Sequence, residues 1–581
     1  MKRMISLCMC LALLLSLMAA CGSGTSSASP AETASTPEDT SSAEEAVEAP
    51  AEPEAPQEPA EEPDEAPEEA AESAEELEQP AEPAHVMPLS DGSIEMRLFT
   101  GMNPNLMTVI DTYAEAGIFA WMEEKTGLKV SIPAIHPATQ AEQWTLMLAS
   151  GDFADFLGAI GNYPGGAQGA LDDEIIFDLR DFEEQMPLFF DALDFTEEVR
   201  KDCTLDSGAI PATYRIINNE DFYVYTNGPV VRKDWLDEQG LSVPVTYDEY
   251  HDVLTAFKNV YGATMWFSPS ESPVLGHGFG IRAGYTFGMG VGLDCFYLKD
   301  GKVQCGFLSE EFKDYMTLMQ TWYKEGLLNP DFSTVSARFA SSNTDEFGKI
   351  TSGKFGVWLE EAPSFAAYRD YDIEMVGAPI PRQNKGDVIT THAGFTRVDG
   401  IQFAIATTCA EPELAAEWLD YWYSPEATLM ANWGVEGETF TYDENGDPHF
   451  TDLIMNNPQG IAMSFARELY TAPTGGYFYD QNTIYSLWGE DEFAACDVWN
   501  ENINASNAMP SFMGMTTEEA EEYNSYAGDL ITYVAEALSK LIMGDTNLED
   551  GLDAFVAQVK DMGIERCMDL QQAAYDRYMQ R

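Results

Sequence analysis

One stretch, Asp221–Phe257 (DFYVYTNGPVVRKDWLDEQGLSVPVTYDEYHDVLTAF), constrains the fold more than any other. Phe222, Val224 and Thr226 alternate with Tyr223, Tyr225 and Asn227, the period-2 pattern of a strand. Asn227-Gly228-Pro229 reads as a break in that strand, and Val230-Val231 as a short β-branched run after it. Arg232 to Gln239 then reads as a helix closed by Gly240. Thr246-Tyr-Asp-Glu249 is a capping box that opens the next helix. The amino-terminal side has the same grammar. Strands are expected at Ile94–Phe99, Leu128–Ile132 and Phe153–Ile160, with helices at Tyr113–Lys125 and Glu142–Ala149 between them. That β-α-β-α-β order predicts a layered α/β lobe.

The first 88 residues stand apart. Lys2 and Arg3 precede an apolar run, Met4 to Met18, of signal-peptide length. It is short of the ~20 residues a spanning helix needs. Met-Ala-Ala-Cys21 resembles a lipobox, so residues 1–21 are expected to be a lipoprotein signal with Cys21 as the lipid anchor. Residues 22–88 are Ser/Thr-rich and then Ala/Glu/Pro-rich, with 20 acids and no Lys or Arg between 22 and 85. A segment of that composition has too little apolar surface to fold, and it is read as a disordered acidic spacer. The expected location is the outer face of a cell membrane.

Without signal and spacer the chain has 79 acids against 28 bases, a net charge of about −51. Nucleic acid, which needs a basic footprint, is excluded as a partner. The same charge argues for a neutral small-molecule ligand over an anionic one, though screening limits that argument to about 10 Å.

Several segments resemble bacterial extracellular solute-binding proteins of the carbohydrate-uptake ABC transporter type (family 1, maltose/oligosaccharide-binding-protein-like). They are the tyrosine-rich strand with NGP and VRKDWLDEQGLSVPVTYDE, Ala149-Ser-Gly-Asp-Phe-Ala-Asp155, and Trp322-Tyr-Lys-Glu-Gly-Leu-Leu-Asn-Pro-Asp-Phe332. Met375-Val-Gly-Ala-Pro-Ile-Pro381 and Ala410-Glu-Pro-Glu-Leu-Ala-Ala-Glu-Trp418 complete the set. Ala154 stands where that family usually has proline. The resemblance implies an α/β, two-lobed periplasmic-binding-protein-like fold of type II, with lobes joined by hinge strands and a helical carboxyl-terminal region. It implies a first lobe of about 89–226 and 383–437, and a second of about 230–380 and 438–581. Tyr225 to Val231 would be the first hinge strand and 375–381 the return.

It also implies a ligand between the lobes. In open α/β sheets ligands sit at the carboxyl ends of strands. The loop Gly161–Gly166 offers Asn162 and Tyr163 there, and the end of the Phe355–Leu359 strand offers Trp358, Glu360 and Glu361. Tyr225 is expected at the hinge. Trp266, Tyr285, Phe395 and Trp433 are candidate flat faces for sugar rings. The ordinary alternative for each aromatic is core packing.

Other chemistry finds no support in the motifs. Gly276-x-Gly278-x-Gly280 and Gly288-x-Gly290-x-Gly292 fail the dinucleotide pattern at Ile281 and Leu293. Gly348 to Lys354 lacks the Ser/Thr of a phosphate loop, and Gly353 is read as a helix cap. Asp443 to Asp447 lacks the glycine and glutamate of a calcium loop, and Asn445-Gly446 is read as a hairpin turn. No metal, cofactor or catalytic residue is expected. Cys295 and Cys305 flank a hairpin. A three-residue turn would set them opposite each other and a two-residue turn on opposite faces, so a disulfide stays open. The expected function is the substrate-binding component of an ABC importer. It would be a monomer that binds a neutral solute, an oligosaccharide first, and presents it to a membrane permease. A surface-anchored glycoside hydrolase and a sensory ligand-binding lipoprotein are the alternatives.

Overall fold

The computed structural model describes residues 84–581 except 105, 159, 220–222, 224, 268–294, 336–338, 343, 391–395 and 505–507. The signal, Cys21, almost all of the acidic spacer, the glycine-rich stretch 276–292, Tyr285 and Phe395 therefore lie outside the described residues.

Alternation builds the first sheet. Met96 and Leu98 of β1 (Glu95–Phe99) point into a core while Glu95 and Arg97 point out. β1 pairs in parallel with β2 (Lys129–Ser131) and β3 (Phe156–Leu157). The helices between them, Gly117–Thr126 and Pro137–Ser150, end on the left-handed glycines Gly127 and Gly151. The helix expected from Tyr113 begins instead as a short 3-10 turn, Tyr113–Glu115, because Ala116 takes an extended conformation. β4 (Tyr214–Ile217) follows, and there the chain leaves the first core.

The second core forms around β5 (Asn227–Arg232), β6 (Thr264–Met265) and β9 (Phe355–Glu361), with the hairpin β7 (Phe296–Lys299) and β8 (Lys302–Cys305) and the short β10 (Met375–Gly377). The order is β10-β5-β9-β6. Asn227-Gly228-Pro229, expected to break a strand, is instead the first half of β5. Pro229 is tolerated because on its β10 side only acceptance is asked of it. Its carbonyl takes the Ala378 N–H (2.8 Å) and the Trp499 indole N–H (3.0 Å). Gly228 is required by the same indole, since a Cβ there would lie 2.5 Å from the Trp499 ring. The capping box Thr246/Glu249 is present, and so is the one at Thr516/Glu519. The latter opens the first of three carboxyl-terminal helices, Thr517–Met543, Leu548–Asp561 and Ile564–Tyr578, which pack on the second core. The β7–β8 turn has two residues, Asp300 and Gly301, both at positive φ. Cys295 and Cys305 are free thiols with Sγ atoms 3.6 Å apart.

The chain passes β11 (Ile389–Thr390) and returns through β12 (Val398–Ile401) and β13 (Ala404–Ile405), the latter antiparallel to β3. It then stays longer than expected. The hairpin of β14 (Phe440–Tyr442) and β15 (Pro448–Phe450) and the helices after it were assigned above to the second lobe. Here Phe440, Phe450, Ile454 and Ala466 pack around Trp433 in a satellite core, and Leu469, Ala472 and Tyr477 join the first core. The chain leaves after β16 (Phe478–Tyr479), reaching the second core at the helix Glu490–Trp499, and Phe512 later packs back on Tyr214 of the first core. A last short strand, β17 (Ile503–Asn504), pairs with β11.

Among the described residues, strands of the first core lead into or out of crossings at 218–226, 383–397 and 480–489. All three start or end on one sheet of order β12-β4-β16. Asn219 ties them. Its side-chain N–H donates to Asp480 (3.1 Å), its side-chain oxygen accepts the Gln481 N–H (2.7 Å), and its carbonyl accepts the Arg397 guanidinium (2.6 Å). Replacing Asn219 by Ala strands Asp480 and the Gln481 N–H on the third crossing and leaves the main-chain bond to Arg397 in place. The expected loss is about 1–2 kcal/mol of unfolding free energy, read from urea denaturation of the folded region.

Candidate functional site

The first wall comes from the strand ends of the first sheet. Beyond β1, Asn103 donates through its side chain to Glu468 (2.9 Å), and its N–H donates to the Tyr113 hydroxyl (2.7 Å). Beyond β3, the Gly161–Gly166 loop exposes Asn162 and half-buries Tyr163. Tyr163 donates its hydroxyl to Asp173 (2.8 Å). Burial, and then that carboxylate, hold the phenol above its ordinary pKa. A Cβ on Gly165 would come within 2.6 Å of the Thr517 hydroxyl. This loop therefore touches the start of a helix that is anchored on the other core.

The second wall is the end of the second sheet where β5 begins and β6 and β9 finish. Several expected ligand-facing residues prove to be core here. Trp266 and Trp358 are fully buried, Tyr225 is 2% exposed and Trp433 is 3% exposed. The Trp266 indole donates to Glu346 (3.0 Å), and the Trp433 indole to Asp480 (3.1 Å). The Tyr225 main chain is clamped on both sides by the Asn500 amide. These rings have no face free for a sugar in this structure, because apolar neighbours already cover them. Glu361 keeps partial exposure at the tip of β9. Asn162, Tyr163 and Glu361 are the candidates left at the lobe boundary among the described residues.

Glu360 is buried outright. Its oxygens accept the Ser341 hydroxyl (2.6 Å), the Tyr368 hydroxyl (2.6 Å) and the N–H groups of Ser341 and Glu361. Burial outweighs those donors and pushes the carboxyl up to about 7. A side chain with no open face is a structural acid rather than a ligand contact.

The floor was not legible beforehand. In β4, Tyr214 and Ile216 face the first core and Arg215 between them faces the other way. The Arg215 guanidinium pairs with Asp399 on β12 (2.5 Å) and lies 5.1 Å over the Tyr479 ring on β16. A quarter of its side chain is open to solvent. Burial alone would lower its pKa, but Tyr477, Asp399 and Tyr479 outweigh that and keep it charged. Arg467, on the helix Met463–Tyr470, is half-buried and close enough to act electrostatically on Tyr479. Its neighbour Glu468 reaches Asn103 of the first wall. A charged residue alternating with buried ones in a short strand was the available signal. Among the described residues no group of three or more His, Cys, Asp or Glu could hold a metal ion.

Glu360 makes stability fall with pH. The folded state holds a proton that the unfolded chain releases near 4.5, so the contribution is lost as pH rises from about 4.5 to about 7 and is flat above. Glu360→Gln keeps acceptor and donor atoms without the charge. From pH 5 to pH 8 the variant should gain about 2–3 kcal/mol on the parent in urea unfolding. Parallel pH curves for the two proteins refute the assignment.

No family model matches the sequence. Among curated proteins, Lipoprotein LipO of Bacillus subtilis (strain 168) is 25% identical over 374 residues, covering 59% of this chain and 67% of LipO. The fructooligosaccharide ABC transporter substrate-binding protein FusA of Streptococcus pneumoniae is 22% identical over 485 residues, covering 79% and 86%. The polygalacturonan/rhamnogalacturonan-binding protein YtcQ of B. subtilis is 23% identical over 442 residues, covering 73% and 81%. Among solved structures, an HMO-binding ABC-transporter-associated solute-binding protein from Bifidobacterium longum infantis superposes with a TM-score of 0.68 at 18% identity. The alginate-binding protein AlgQ2 superposes at 0.63 and 21%. Both cover 84% of this chain and 99% of the other. The chain has the two-lobed fold of solute-binding proteins, and in sequence it is similar to the substrate-binding proteins of ABC transporters.

Proposed function

We propose that this protein is the extracellular substrate-binding component of an ABC importer, taking an oligosaccharide between its lobes and releasing it unaltered. The observation that carries this reading is the hinge. Two separate hydrophobic cores are joined through one three-stranded sheet, with Asn219 tying the three crossings. A ligand that touches both walls stabilises the form in which they approach, and closure needs nothing else. Asn162 and Tyr163 are the proposed contacts on one side and Glu361 on the other, with Tyr285 and Phe395 kept as proposed contacts outside the described residues. The names of FusA and YtcQ, both saccharide binders, support an oligosaccharide. The name of LipO supports a lipid anchor, here Cys21 behind the signal 1–21, with residues 22–88 as the tether. The closed form would then be presented to a membrane permease by a monomer.

The reading is tested by incubating the protein with a panel of oligosaccharides. One or more should raise the melting temperature, and chromatography of the mixture should recover the saccharide intact. Cleavage products accumulating over many turnovers overturn the assignment. Tyr163→Ala should weaken binding of the active saccharide about tenfold, the scale of one lost hydrogen-bonded contact, with the ligand-free protein still folded by circular dichroism.

A further inference from the structure

The expectation of an uncharged ligand rests on net charge, which is a long-range property. Charges beyond about 10 Å are screened, so the potential at the floor is set by what stands there. Arg215 and Arg467 stand there. The folded region has 79 acids for 28 bases, so a base without a carboxylate is out of keeping with its surroundings. Arg467 is such a base. It forms no ion pair among the described residues, and its Nε is buried with no hydrogen-bond partner. Arg215 has one carboxylate, Asp399, whose side chain is 47% exposed, and the Tyr477 hydroxyl beside it. The Arg215 Nε is also buried without a partner. A desolvated N–H left unpaired is costly, and a guanidinium fork fits a carboxylate through two parallel hydrogen bonds. The nearby carboxylates are few. Asp480 is engaged by Asn219 and Trp433, and Glu468 by Asn103. The Arg215 guanidinium lies over one face of the Tyr479 ring, and Arg467 acts electrostatically on the same tyrosine, so both positive charges bear on one place.

We infer that this floor takes an acidic oligosaccharide, with a uronate carboxylate of the ligand received by Arg467 and Arg215 beside the Tyr479 ring. The inference rests on the oligosaccharide reading and narrows it. The carboxylate pairs with the solvent-open part of each guanidinium, a charge-assisted contact stronger than a neutral sugar hydroxyl makes.

The experiment is calorimetry on the folded protein with trigalacturonate, trimannuronate and a hyaluronan tetrasaccharide, against 1-kestose and cellotriose. At least one uronate should bind, and its methyl ester should bind about 10- to 100-fold more weakly. Raising salt should weaken the acid and leave the ester unchanged. Arg467→Gln should remove the preference for acid over ester while the ligand-free melting temperature holds. The comparison of acid with ester on the parent protein decides the matter even if the variant fails to fold. Binding of neutral saccharides with no preference for a uronate overturns this inference and leaves the function standing. Binding of neither class to the parent overturns both.

Discussion

The amide of Asn219 is the point on which the architecture turns. Three segments of chain that are distant in sequence pass the junction between the two cores, and this one side chain and its carbonyl hold all three. Each bond is ordinary in strength. Their value lies in where they are. The rings of Tyr223, Tyr485 and Trp488 pack the first crossing against the third, and the polar ties fix the register of that contact. The neighbouring ladder β12-β4-β16 does the same from the first-core side, and the Asn500 clamp on the Tyr225 main chain does it from the second.

Away from the junction the cores do the holding. The second core gathers helices from both ends of its segment, with Trp499 pressed onto Gly228 at its centre. A separate bridge runs between cores at the end of the last helix. Tyr578 donates to Asp202 (2.6 Å), and Arg577 and Arg581 both reach Asp206 (2.8 and 2.7 Å). Asp202 and Asp206 flank the end of a first-core helix, Glu197–Asp202. This bridge and the Gly165–Thr517 contact set the two bodies against each other along one margin.

Much of this was readable in the residues. Periodicity found the alternating β1, and local rules found the glycine stops at 240 and 353, because those rules have one solution. It found the Thr246/Glu249 capping box for the same reason. It failed at Asn227-Gly228-Pro229, where a sequence that favours a turn is held as strand by partners far along the chain, Ala378 and Trp499. It failed again at 438–479, because nothing local says which of two cores a hairpin will join. The site suffered most. An aromatic residue has the same pattern signature whether it meets a sugar or a core, and Trp266, Trp358 and Trp433 met the core. Arg215 and Arg467 carried little signal because their meaning is relational. One faces away from a core that the other's helix helps to close.

The number of crossings has a further consequence. Two connectors allow the bodies they join to twist as well as bend. Three connectors that spring from adjacent strands of one ladder and are tied at Asn219 oppose torsion more than two do. A junction strung in this way favours bending of the halves toward each other over twisting between them, which is the motion that the proposed function asks of it.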